Sequence, residues 1–292
     1  MMTVSEHFST IFPGKVQKIA LDPGLGCPGR CSFCNGAAFS PAYAKGSITG
    51  QLCKGVEFYA RKGLPWGYLA YFQAGTGTFG PTDKLISIYE EALSYPGVAG
   101  LVIATRPDCI APDLAEWFCR RFGSKAPEGH PYLLVELGIE STLDETLVRI
   151  GRGHGWECSR DAVLLLDRLG VEVGAHLIVG LPGESESDFT DHARKLSELP
   201  VSTLKLHQLQ IIKGTPMARQ YKEHPEEFDL LTPERYARIV ASMLRVLRKD
   251  IALDRFVSES PKGMVLAPSW GLKPSEFSAL LERVREGRES ED

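Results

Sequence analysis

The sequence predicts an α/β fold: a partial barrel of parallel strands wrapped by helices, with a small C-terminal extension. Three observations carry that prediction. Six short apolar runs alternate with amphipathic helical patterns, as repeated βαβ units do. The runs are nearly continuous in apolar residues rather than alternating, which is how strands covered on both faces read. The chain has 292 residues, 43% of them hydrophobic, enough for a core of barrel size.

Segment 1–15 carries no assigned element. "VQKIALD" (16–22) is the first strand, and a helical stretch follows around 50–62. "YLAYFQA" (68–74) is a strand and "DKLISIYEEAL" (83–93) a helix; "GLVIATR" (100–106) is a strand and "PDLAEWFCRRF" (112–122) a helix. "YLLVELGIE" (132–140) is a strand, followed by helices at 143–150 and 159–169. "VEVGAHLIVG" (171–180) is a strand, 186–199 a helix, and "STLKLHQLQII" (202–212) the sixth strand. Helix 232–247 opens with Thr232 as N-cap and proline at the first helical position. These six units occupy 16–250 and predict a (β/α)6, TIM-like partial barrel, with chemistry at the carboxyl ends of its strands. A C-terminal extension, 251–286, holds a further apolar run and a closing helix, and the polar tail 287–292 is expected to be disordered.

Net charge is −4, so there is no global basic signature for nucleic acid. No apolar run approaches the ~18 residues of a membrane span. The N-terminus lacks the basic and apolar regions of a secretory signal, so a cytoplasmic location is expected. Seven cysteines in such a chain read as ligands or free thiols rather than disulfides.

Three of them lie in "GCPGRCSFCNG" (26–36), directly after the first strand: Cys27, Cys31 and Cys34, spaced C-x3-C-x2-C. Structural zinc wants four ligands and disulfides an even count. Three thiolates on a cubane leave one iron open. Pro28, Gly29, Asn35 and Gly36 permit the tight turns that aim three sulfurs at one group, and Phe33 stands ready to shield it. A zinc loop with a distant fourth ligand and an electron-carrier cluster remain the alternatives.

A C-x3-C-x2-C loop after a first parallel strand resembles the signature of radical S-adenosylmethionine (SAM) enzymes. Further stretches extend the likeness: "YFQAGTGTFGP", "ATRPDC", "VELGIESTLDETLVRIGRGH", "AHLIVGLPGE", "LKLHQLQIIKGTP" and "LAPSW". They stand in the order of the YhcC/YtqA-type proteins, relatives of the elongator catalytic subunit and of the coproporphyrinogen dehydrogenase group. The short gap "PGR" between the first two cysteines departs from that type, where a longer insert stands.

The resemblance implies a [4Fe–4S] cluster on the three cysteines, with SAM on its open iron. SAM would be cleaved to a 5′-deoxyadenosyl radical by an electron from a flavodoxin- or ferredoxin-like donor. It implies that Gly75 and Thr76 meet the methionine amino group, that Arg152 meets the SAM carboxylate, and that Glu140, in place of a more usual Gln, grips the cofactor. His176, in place of a more usual Asp, falls at the ribose; Gly180, Leu209 and Ile211 fall near adenine. Part of the family resembles enzymes acting on tRNA wobble uridine. Arg120, Arg121, Lys125, Lys213, Arg219 and Lys222 are therefore candidate phosphate contacts, and a small metabolite is the alternative substrate. Arg106 and Asp108 close the third strand and either touch substrate or pair with each other. Cys109 and Cys158 are candidate substrate-facing thiols.

Overall fold

Thr3 opens the chain's first helix, α1 (Val4–Ile11). Its side chain accepts from Glu6 N while the Glu6 carboxylate accepts from Thr3 N, a capping box. The N-terminal segment thus holds an element that its sequence left unassigned. The computed structural model describes residues 1–36, 43, 45–61, 63, 65–257, 260 and 263–287; the tail 288–292 lies outside them.

The six expected βα units follow. They are β1 (Val16–Leu21) and α2 (Ile48–Ala60), β2 (Gly67–Phe72) and α3 (Thr82–Leu93), and β3 (Val98–Thr105) and α4 (Pro112–Arg121). Next come β4 (Tyr132–Glu140) with α5 (Asp144–Arg149) and α6 (Trp156–Arg168), β5 (Glu172–Val179) with α7 (Glu186–Ser197), and β6 (Thr203–Gln208). The expected strand 202–212 breaks after Gln208. Leu209 N still bonds Val179 O, but β7 (Ile211–Ile212) leaves the sheet and pairs antiparallel with β9 (Val265–Ala267). A run apolar on both faces gives no local sign of such a break. Between them lie α8 (Pro216–Glu223), α9 (Pro233–Val246) and β8 (Ala252–Arg255); α10 (Pro274–Arg285) closes the chain. Thr232 caps α9 by accepting from Arg235 N, as expected.

The sheet has seven strands, all parallel, in the order β1-β2-β3-β4-β5-β6-β8. The partial barrel is present with one strand more than expected. That strand comes from the segment beyond residue 250, so the sheet runs through this point without interruption.

Strand order equals chain order, so successive crossovers do not reverse direction as in doubly wound sheets. Alternate side chains of each strand, such as Leu101, Ile103, Val135, Leu137, Val173, Leu204 and Leu206, pack with the helices in one large core. The side chains between them face the lumen. At its lower end Leu69, Val102, Leu134 and Ala252 pack with Val4, Phe8 and Phe12, so α1 plugs the bottom of the barrel. The curl is visible in one side chain: Lys18 of β1 reaches Glu136 of β4 and Asp254 of β8, each at 3.0 Å.

Candidate functional site

The loop after β1 is tied down at several points. Gln51 brackets Asp22, donating to its carbonyl and accepting from its N–H, both at 2.8 Å. Ser32 N donates to Ile150 O at 2.8 Å, and Met217 N at the start of α8 donates to Ser32 O at 2.9 Å. Asn35 Nδ2 donates to Lys213 O at 3.2 Å. Phe33 packs on a buried cluster that includes Leu147, Ile150, Leu209, Ile211 and Met217.

Cys31 is buried, whereas Cys27 and Cys34 are solvent-accessible. Burial, with Cys31 and Cys27 nearby, pushes the Cys34 thiol up to about 12. Two guanidiniums close on Cys31: Arg152 Nη1 at 3.4 Å and Arg106 Nη1 at 3.6 Å from its Sγ. Arg152 is 5% exposed, donates through Nη2 to Gly138 O, and keeps a buried Nε without a partner.

The glycine-rich stretch packs against this loop. Gly75 has φ +72, and a Cβ there would stand 2.6 Å from Leu25 O. Thr76 N donates to Gly26 O at 3.2 Å, while the buried Thr76 hydroxyl has no partner. Orphaned buried donors are rare in folded proteins. Here Thr76 Oγ1, Arg152 Nε and Ser32 Oγ belong to the cysteine loop and its immediate neighbours.

Glu140 is the one non-glycine residue at positive φ among the described residues, at +70. The β4–β5 register slips between Gly138 and Glu140. Such a backbone persists only when its surroundings hold it. Ser141 Oγ donates to Glu184, Thr142 bonds His192 at 2.7 Å, and Lys195 donates to Thr142 O at 3.1 Å. Thus clamped, Glu140 folds over Gly138 and puts Oε1 3.9 Å from Arg152 Nη2. A Cβ on Gly138 would lie 2.6 Å from that oxygen. Burial pushes the Glu140 carboxyl up, against the pull of Arg152 and Arg106.

Arg106 and Asp108 pair with each other, Nε and Nη2 each donating at 2.8 Å. Gly180, with φ +98, lies beside Leu209 and Leu231 across the mouth. Leu209 is 5% exposed, and Ile211 is fully buried. Cys158 lines a cleft of about 1220 Å³ on the flank, with Pro107, Leu147, Gly153 and His154.

His176 lies lower, in a set of lumen residues that sequence reading did not assemble. Glu136 Oε2 accepts from Tyr71 OH at 2.7 Å and Lys205 Nζ at 2.7 Å, with His176 Nε2 at 3.0 Å. Lys205 also meets Asp254 at 3.0 Å. Burial alone would raise the Glu136 carboxyl, yet Lys18, Lys205 and His176 hold it well below the carboxylate range. Asp254, likewise buried, is held down to about 2 by Lys205 and Lys18. Burial, with Lys205 close by, depresses His176 to about 4. The available signal is a charged residue in the interior of each of three apolar strands: Lys18, Glu136 and Lys205.

Among the described residues, no three His, Cys, Asp or Glu side chains form a set that would hold a metal ion. That holds for Cys27, Cys31 and Cys34 as well. A cubane takes each thiolate on a different iron, so its ligands need not meet at one point. No described helix is long and apolar enough to cross a membrane.

A half-barrel with a three-cysteine loop at its carboxyl-terminal mouth defines a class of cluster-bearing α/β proteins. Residues 21–196 match the Radical SAM superfamily, and 201–286 match the Radical SAM C-terminal domain. The chain belongs to the radical SAM superfamily, whose cofactors are a [4Fe–4S] cluster and SAM. It is 31% identical to the uncharacterized protein YtqA of Bacillus subtilis, over 99% of this chain and 90% of YtqA. It is 34% identical to protein YhcC of Escherichia coli, over 88% and 82%. A tRNA uridine(34) acetyltransferase of Methanocaldococcus infernus is 27% identical over 64% of this chain and 33% of its own length. The solved Elp3 structure from that archaeon shares the fold, with a TM-score of 0.72 at 18% identity, covering 94% of this chain and 64% of that one.

Proposed function

We propose that the protein is a radical SAM enzyme in which Cys27, Cys31 and Cys34 hold the cluster and the surrounding pocket holds SAM. When bound, the pair supplies a 5′-deoxyadenosyl radical for abstraction of a substrate hydrogen. The protein's part is binding, orientation and exclusion of water. The observation that carries this reading is that two buried guanidiniums meet Cys31, and the unpartnered Thr76 hydroxyl lies beside the same three-cysteine loop. Arg152 offers a fork suited to a carboxylate. Gly75 brings bare backbone to the same place. Glu140 supplies a carboxylate for an ammonium.

The substrate we favour is a nucleic acid, such as a tRNA wobble-uridine side chain. The named activity of the acetyltransferase relatives supports it. So does the placement of Lys213, Arg219 and Lys222 beside the mouth, where none of them forms an ion pair among the described residues. Arg120 and Arg121 are instead paired with Glu116 and Glu90. A small polar metabolite is the second reading, favoured by the charged lumen above the α1 plug. Anaerobic reconstitution should give a four-iron signal and 5′-deoxyadenosine on reduction with dithionite; iron without SAM cleavage refutes the enzyme. Nucleoside profiling of tRNA with and without the gene separates the two substrates.

A further inference from the structure

Arg106 is 4% exposed, and each of its three nitrogens has a partner. Nε and Nη2 grip the Asp108 carboxylate, Nη2 also donates to Arg152 O at 2.6 Å, and Nη1 lies 3.6 Å from Cys31 Sγ. Nη1 also lies over Gly29, where any Cβ would collide with it; Cys27 Sγ is 3.4 Å from that same point. A cation thus stands against the Cys31 thiol, on the side of the loop where Gly29 and Cys27 lie, and both edges of its fork are engaged. Asp108 lies one group further out, with a side chain 30% exposed.

We infer that the Arg106–Asp108 pair sets the reduction potential of the cluster. Arg106 is the positive charge beside the thiolates, and Asp108 is the carboxylate that aims and partly offsets it. Both are positioning residues. The inference rests on the assignment of Cys27, Cys31 and Cys34 as cluster ligands.

The physical reason is charge. One-electron reduction adds a negative charge to a cluster already ligated by thiolates. Net charge and hydrogen bonds to the sulfurs are what tune such potentials. A fixed cation favours the reduced state, more strongly where water is excluded. A carboxylate behind it opposes that effect. The two residues should therefore act with opposite signs, which a purely structural clamp on the loop would not produce.

The test is an EPR-monitored redox titration of the anaerobically reconstituted full chain, with iron and sulfide measured in parallel. Arg106→Met should make reduction about tenfold less favourable, about 60 mV lower for one electron. Arg106→Lys should recover part of the shift. Asp108→Asn, nearly isosteric, should move the potential upward. It carries the test alone if Arg106→Met fails to hold iron. An Arg106→Met cluster at the wild-type potential, or Asp108→Asn moving downward or not at all, overturns the inference. Wild-type protein that assembles no four-iron cluster refutes the ligand assignment itself, a different and recognisable failure.

Discussion

Lys18 on the first strand and Asp254 on the last meet at 3.0 Å across the gap between the two edges of the sheet. No backbone ladder joins β1 to β8. The seam is spanned instead by this pair and, lower down, by Leu253 N donating to Met2 O at 2.9 Å. Glu136 and Lys205 complete a lattice of two ammoniums and two carboxylates. Breaking one member strands a charge in a low-dielectric lumen. Asp254→Ala should cost about 3–5 kcal/mol in urea unfolding. Lys18→Met/Asp254→Leu leaves Lys205 and Glu136 balanced and should recover much of that loss. A double variant as unstable as the two singles combined would refute charge balance as the cause.

The same lattice gives stability a pH dependence with two limbs. His176 titrates near 4 when folded and near 6.5 unfolded. Between those values the unfolded chain binds the extra proton, so stability falls as pH drops through that window. Asp254, at about 2 when folded, and Glu136, also depressed, contribute stability that is full above the unfolded carboxylate range. It is lost as pH falls from ~4 towards 2. His176→Leu should make the upper limb shallower, the rest coming from His207 and His154, which burial also depresses. Urea midpoints measured from pH 8 to pH 3 check both; an unchanged upper limb removes His176 from the account.

Gly75→Ala adds a methyl group at φ +72, 2.6 Å from Leu25 O. The left-handed strain costs roughly 1–2 kcal/mol, and the collision pushes the cysteine loop away from the glycine-rich stretch. Iron content after reconstitution and SAM retention in equilibrium dialysis should both fall. Wild-type values for both would show that the close approach has no bearing on the cofactors.

Arg152→Lys keeps the charge but loses the fork that reaches Gly138 O and Cys31 together. SAM affinity should drop at least about tenfold, a loss of ~1.4 kcal/mol, with the iron content largely kept. Binding unchanged within twofold would remove Arg152 from the carboxylate site.

By itself the sequence determined the parallel α/β class, the order of the units and the cysteine loop. Each is a local signal: an apolar run long enough for one strand, or three thiols within eight residues of one another. The stretch "TRPDC" is equally compatible with an arginine and an aspartate that touch substrate, and only the folded chain joins Arg106 to Asp108. The break after Gln208 and the return of Ala252–Arg255 to the sheet also needed tertiary structure, because both depend on partners far along the chain. Closure decided the rest. Lys18, Glu136, Lys205 and Asp254 come from four different strands, and nothing in any one strand marks its charge as part of a set. They become one lattice only when the sheet curls and brings its two edges together, a geometry that no short stretch of chain encodes.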